Sequence, residues 1–197
     1  MSATQSSKLL SSLFARYDEE QRLNVLHIGP ALPETVEFFS RFRCKLYFAD
    51  LFSELPITRD EGAGQTLEQR FAELLDIPGD AQFDICLFWD IFNFLGKPAI
   101  VAFLAALQPH LHEGSLAHGF AVHNLHSQPT NQVYAIKSMD AVTAHSRSSP
   151  LPGYAPLPQS KLRNLLHCFH FDRSVLLSDS RLELLLKADL KQARKRA

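Results

Sequence analysis

The sequence predicts an α/β domain with a mainly parallel central sheet, helices on both faces and a C-terminal antiparallel hairpin. Three observations predict it. Short apolar runs alternate with helical patterns along most of the chain, the order that builds parallel sheets. One run, Phe83–Trp89 (FDICLFW), is apolar almost throughout, as strands buried on both faces are. Two strand-like runs within Phe171–Lys187 flank Ser178-Asp179-Ser180-Arg181, which reads as a hairpin turn.

The elements follow in order. The first 21 residues read as an N-terminal helix, with Leu9, Leu10, Leu13, Phe14 and Tyr17 forming a helical stripe. Arg22–Ile28 (RLNVLHI) is a strand that runs into Gly29-Pro30, and Pro33 favours a helix over Glu34–Phe42. Cys44–Ala49 is a second strand ending at Asp50. Thr66 and Gln69 have capping-box spacing at the start of a helix over Thr66–Leu75, although Ala72–Ile77 reads equally as helix or strand. After Phe83–Trp89 come a helix over Pro98–Leu107 and a strand over Ser115–Val122. Residues 124–159 are polar and proline-spotted and read as a long loop or lid, with order expected within Tyr134–Ala144. Ser160–Cys168 is helical, and residues 191–197 form a basic tail. No linker divides the chain, so the 197 residues are expected to form a single domain.

Composition narrows the function. A hydrophobic share of 46% is that of a globular chain, and a net charge of −1 gives no general attraction to nucleic acid or membrane surfaces. No apolar run is long enough to span a bilayer. Cys44, Cys86 and Cys168 are odd in number and widely spaced, which predicts reduced thiols and a cytoplasmic location. The histidines have no zinc-ligand spacing: His110 and His112 precede the fifth strand while His123 and His126 follow it, so no metal is expected. A dinucleotide-binding domain needs GxGxxG after its first strand, and Gly29-Pro30-Ala31-Leu32-Pro33 has one glycine.

Four features in sequence resemble the class I S-adenosylmethionine-dependent methyltransferases: Val25-Leu26-His27-Ile28-Gly29, Asp50 at the end of the next strand, Phe83-Asp84-Ile85-Cys86-Leu87-Phe88-Trp89-Asp90, and the turn Leu107–Gly114 before the fifth strand. The terminal hairpin fits that family's reversed last strand. The resemblance covers roughly Leu23–Lys187 and implies a Rossmann-like fold with S-adenosylmethionine as cofactor. It implies cofactor-binding positions at His27, Gly29, Pro30, Ala31, Asp50, Leu51 and Trp89. Asp50 would accept the ribose hydroxyls, with Leu51 and Phe52 beside adenine. Asp76 is either an adenine contact or a helix end.

The loop departs from the family pattern. His27 stands where that family carries an acid, and a neutral imidazole forgoes a charge-assisted bond worth about 1.5–3 kcal/mol. Ala31 at a glycine position adds about 1–2 kcal/mol if its φ is positive, and Pro33 offers no N–H. Cofactor binding is therefore expected to be weakened or lost. Asp90 and His123 are the candidate catalytic acid/base residues, at the carboxyl edge where open α/β sheets bind ligands. Two functions follow from the resemblance. One is a methyltransferase acting on a small molecule or protein. The alternative is a catalytically inactive scaffold or regulatory partner-binding protein of the same fold.

Overall fold

The computed structural model describes residues 2–18, 20–59 and 64–191. The chain opens with strand β1 (Ser2–Ser6) and a short helix α1 (Leu10–Phe14). Then come β2 (Leu23–Ile28), α2 (Pro33–Phe39), β3 (Cys44–Ala49), α3 (Leu67–Leu75) and β4 (Phe83–Trp89). They are followed by α4 (Lys97–Leu107), β5 (Leu111–Val122), β6 (Gln132–Ser138) and β7 (Ala141–Ser146). Helix α5 (Gln159–Leu165), β8 (Phe169–Leu176) and β9 (Arg181–Ala188) complete the described chain.

Six strands form the central sheet in the order β3-β2-β4-β5-β9-β8. The pairs β2–β3, β2–β4 and β4–β5 are parallel, and β9 is antiparallel to both β5 and β8. Val25 faces Ile85 and His27 faces Leu87 across the central pair, so the mainly parallel sheet and the C-terminal hairpin stand as the sequence predicts. The two central strands are apolar because helices cover both of their faces: Val25, Leu26, Ile85, Cys86 and Leu87 are all buried. Helix α3 carries the predicted capping box: Thr66 Oγ1 accepts from the Gln69 N–H at 3.1 Å, and Gln69 Oε1 accepts from the Thr66 N–H at 2.9 Å. The helix ends at Asp76, which takes a left-handed C-cap (φ 46), so Asp76 belongs to a helix end. The ambiguous Ala72–Ile77 is thus helix and turn, and β3 forms the sheet edge.

Two regions differ from the sequence reading. The N-terminal helix expected over residues 1–21 shrinks to α1 because β1 joins a second sheet, ordered β1-β7-β6. The stretch expected as a loop or lid over residues 124–159 contains the β6–β7 hairpin of that sheet. Tyr134, Ile136, Val142 and Ala144 of this hairpin lie in the main hydrophobic core. The hairpin packs on α2, where the Ile136 N–H donates to Thr35 Oγ1 at 3.1 Å. The basic tail lies outside the described residues apart from Lys191.

Glu183 on β9 ties the N-terminus to the central sheet. It is fully buried and accepts from the Ser7 hydroxyl, from the Lys8 N–H at 2.7 Å and from the Leu9 N–H at 3.2 Å, while His118 Nε2 lies 2.8 Å away. The carboxylate thereby satisfies N–H groups that α1 leaves free at its start. Burial opposes the ionised form, but the bonds from His118, Ser7 and Lys8 outweigh it and hold the Glu183 carboxyl down at about 2. Its folded value lies below its unfolded value of 4.5, so the associated stability is present above pH 4.5 and is lost as pH falls toward 2. That span amounts to about 3 kcal/mol. Chemical denaturation from pH 7 down to pH 3 should show about 2 kcal/mol of this loss. Glu183→Ala should lower stability at pH 7 by about 3–5 kcal/mol. A change within experimental error would mean that the carboxylate is not the anchor.

Candidate functional site

The carboxyl ends of β2, β3 and β4 meet at one edge of the sheet, and the sequence-predicted residues gather there. Gly29 follows β2 with φ +135, a conformation that favours glycine. Above it lies the His27 ring: a Cβ placed on Gly29 would sit 3.4 Å from His27 Nε2 and 3.9 Å from Phe52 Cδ2. His27 and Phe52 therefore border this glycine at ordinary contact distance. Pro30 is half-buried and Ala31 is exposed. Ala31 is not among the residues at positive φ, so the backbone strain anticipated there is absent; the loop takes its left-handed step at Gly29 alone. Leu51 and Phe52 are buried rather than lining an open face.

Trp89 ends β4 in a left-handed conformation, φ 51, which costs a residue with a side chain about 1–2 kcal/mol. Gly119 on the neighbouring strand makes room for it, since a Cβ there would lie 2.9 Å from the Trp89 carbonyl oxygen. The turned backbone sends the indole over the sheet edge. There Trp89 Nε1–H donates to His27 Nε2 at 3.2 Å, and the indole stacks on Tyr134 (5.6 Å, 23°) and Phe120 (6.3 Å, 25°). An imidazole that accepts at Nε2 carries its proton on Nδ1, and Nδ1 is buried with no hydrogen-bond partner. Burial lowers the His27 pKa to about 3, so the ring is neutral at physiological pH.

Arg181 fastens the cover. It donates to the Tyr134 hydroxyl at 2.8 Å and to Gln5 Oε1 at 2.6 Å, pairs with Asp179 at 2.7 Å, and lies over the Phe120 ring at 4.7 Å. One guanidinium thus joins β9, β6 and β1.

Asp90 lies beside this stack and is 4% exposed. Its Oδ2 is 3.4 Å from the Thr130 hydroxyl, its Oδ1 has no partner, and it makes no side-chain cap to the 3-10 turn Ile91–Asn93. Burial raises its pKa to about 6, against the fields of Arg147 and Arg181. Asp50 also has a buried, unpartnered Oδ1. Arg147, which follows β7, lies over the Phe52 ring at 4.7 Å and feels both Asp90 and Asp50. Phe92 is buried against Phe88 and Phe103 and is core. His123, the second catalytic candidate, is exposed, and the side-chain hydrogen bond to Asp90 comes from Thr130 instead. No group of three or more metal-binding side chains occurs among the described residues.

Sequence reasoning missed Tyr134, Arg147 and Arg181. The alternation in Gln132–Ser138 and Ala141–Ser146 around Met139-Asp140 is the hairpin signal that would have placed the first two.

A buried carboxyl with a raised pKa destabilises the fold once it ionises. The folded value of Asp90 exceeds its unfolded value of 3.8, so its contribution is full below that pH and is lost as pH rises through about 6. Asp90→Asn should therefore be more stable than the parent at pH 8 by up to about 3 kcal/mol, with the gap closing as pH falls from about 6 to below 3.8. Equal stability of the two proteins at pH 8 would mean that Asp90 is solvated or paired.

No protein-family model matches the chain, and no curated protein sequence matches it. Solved structures do. The chain is similar to a 1,6-didemethyltoxoflavin-N1-methyltransferase of Burkholderia thailandensis, with TM-score 0.54 and 16% identity over 92% of this chain and 77% of that one. It is similar to an S-adenosylmethionine-dependent methyltransferase of Clostridium acetobutylicum, with TM-score 0.51 and 11% identity over 92% and 91% of the two chains. A TehB-like methyltransferase of Corynebacterium glutamicum matches with TM-score 0.51 and 10% identity over 91% and 87%. At these identities the likeness is one of fold: the chain has the Rossmann-like fold of the class I S-adenosylmethionine-dependent methyltransferases.

Proposed function

We propose that this chain is a methyltransferase-like protein that transfers no methyl group and works as a scaffold or regulatory partner-binding protein, a single domain in the cytoplasm. The observation that carries this reading is the buried, neutral His27 ring at the acidic position of the family, beside Gly29 and held by the Trp89 indole. In methyltransferases of this fold the cofactor's amino-acid end runs over that glycine. Here S-adenosylmethionine would have to displace a buried imidazole, break the Trp89 bond and part the Tyr134 stack. It would find no carboxylate at position 27 for its ammonium. Arg147 lies over the Phe52 ring, beside which the resemblance would place adenine. The residues present do not fit this cofactor. The partner is a protein or a small molecule rather than nucleic acid, in keeping with the near-neutral charge.

The second reading, an active methyltransferase acting on a small molecule or protein, is favoured by one observation: the unpartnered buried oxygens of Asp50 and Asp90 at the same sheet edge. Unsatisfied buried polar atoms are uncommon and collect at ligand sites. Titration calorimetry with S-adenosylmethionine and S-adenosylhomocysteine separates the two readings. No saturable heat at millimolar ligand is expected. Micromolar binding of either compound would overturn the proposal and establish the cofactor pocket.

A further inference from the structure

The central sheet has two outer strands, β3 and β8, and they are finished differently. β8 is guarded. Its pairing with β9 shifts register between Phe171 and Arg173, Asp172 pairs with Arg16 at 2.9 Å, and Arg173 donates to Ser12 Oγ at 3.1 Å. Bulges and tied charges of this kind keep other strands off. β3 has neither. It pairs with β2 without a register break from Cys44 to Ala49, contains no proline and carries one charge, Lys45. The Arg43 and Ala49 carbonyls accept from the Leu23 and Gly29 N–H groups at 2.9 and 2.8 Å, so these positions face β2. The backbone groups of a strand alternate in direction, so Lys45 and Tyr47 face β2 as well, while Leu46 and Phe48 turn their N–H and carbonyl groups outward. Among the described residues no strand pairs with that outer side, although Leu46, Tyr47 and Phe48 are half-buried and apolar.

Positive charge is concentrated at the start of the same strand. Arg22, Asn24, Arg43, Cys44 and Lys45 line a hollow of about 540 Å3. Arg22, Arg43 and Lys45 are exposed, and the counter-charge is slight: Glu20 lies 3.7 Å from Arg43 with its side chain 91% exposed. A solvated pair of that kind holds little energy and is easily exchanged. Lys45 lies over the Tyr47 ring at 4.7 Å, on the strand face opposite Leu46 and Phe48. We propose that the outer side of β3 docks an extended acidic segment of a partner protein, which joins the sheet as a further strand. The segment's main chain pairs with the outward groups of Leu46 and Phe48, the strand addition by which an open sheet edge binds a peptide. Its acidic side chains meet Lys45, Arg43 and Arg22 at the hollow, and its apolar side chains extend the Leu46–Phe48 face. This inference rests on the scaffold reading and names the chemistry of the partner. The hollow lies at the amino end of β2 and β3, away from the carboxyl edge where S-adenosylmethionine would bind.

The probe is a capped peptide of alternating valine and glutamate, six residues long to match β3. Its counterpart with lysine in place of glutamate is the control, and S-adenosylmethionine is a separate arm. The 1H–15N signals of Leu46 and Phe48 report on the strand. In the free protein their amides should exchange with solvent faster than those of Lys45 and Tyr47, which bond to β2. The acidic peptide should shift the Leu46 and Phe48 signals saturably and slow their exchange, and the lysine peptide should bind at least about tenfold more weakly. Leu46→Pro removes an outward N–H without breaking the β2 ladder, and Arg43→Glu with Lys45→Glu reverses the charge. Each variant, checked for folding by circular dichroism, should weaken the acidic peptide at least about tenfold. No saturable shift, equal binding of the two peptides, or binding that survives both variants would overturn the proposal. Slow exchange of Leu46 and Phe48 in the free protein would overturn it too, because the chain itself or a second copy would then cover the strand. Binding of S-adenosylmethionine alongside the acidic peptide would overturn the scaffold reading and leave the docking strand standing. Failure of the peptide with no S-adenosylmethionine binding would overturn the docking strand alone.

Discussion

The sheet edge depends on the conformation of Trp89. Its left-handed backbone turns the indole away from the strand direction and over the ends of β2 and β4. Gly119 permits the turn by leaving the Trp89 carbonyl unobstructed. Once there, the indole closes off His27 on one side and receives Tyr134 on the other. Aromatic pairs of this kind add about 0.5–1.5 kcal/mol each beyond the area they bury, enough to offset the cost of the backbone turn. The second sheet rests on this platform, and the covered edge follows from it.

The antiparallel strand β9 holds the cover in place. Arg181 and Glu183 lie on one face of it, two residues apart, with Glu183 opposite Phe120. Glu183 gathers the start of α1 and His118, while Arg181 gathers Tyr134 and Gln5. These buried charges are matched with several partners each, as burial of charge requires. Asp90 and Arg147 contrast with them at the same end of the molecule. Asp90 Oδ1 and Arg147 Nη2 have no hydrogen-bond partner among the described residues, so these two groups do not tie elements together as Glu183 and Arg181 do.

The central fold was legible because its signals are local. Alternating apolar strands and helical stripes, the Thr66–Gln69 capping box and the turn at Ser178–Arg181 each specify their own element, and together they leave one topology. The site was legible in position but not in state. Asp50, Gly29, His27, Trp89 and Asp90 do converge, since all end parallel strands of one sheet. That the His27 ring borders Gly29 and accepts from Trp89, and that Ala31 escapes strain, depends on side-chain and backbone angles that residue identity does not encode. The cover was hidden for a different reason. β1 pairs with β7 far along the chain, Ser6 with Ala141, and such a contact leaves no trace in either segment alone. The polar and proline-rich flanks of the β6–β7 hairpin masked its alternation, and with it Tyr134 and Arg147.

The His27 ring reports most directly whether this sheet edge is closed to solvent. A buried imidazole that accepts from the Trp89 indole stays neutral far below the ordinary histidine range, because protonation would break that bond and place a charge in an apolar pocket. Ring nitrogen chemical shifts of His27, assigned by comparison with His27→Gln, should be followed from pH 8 down to pH 4. The expected result is a single neutral form, protonated at Nδ1, across that range. Titration of the ring near pH 6.5 would show an imidazole open to solvent, and would contradict the closed edge on which the account rests.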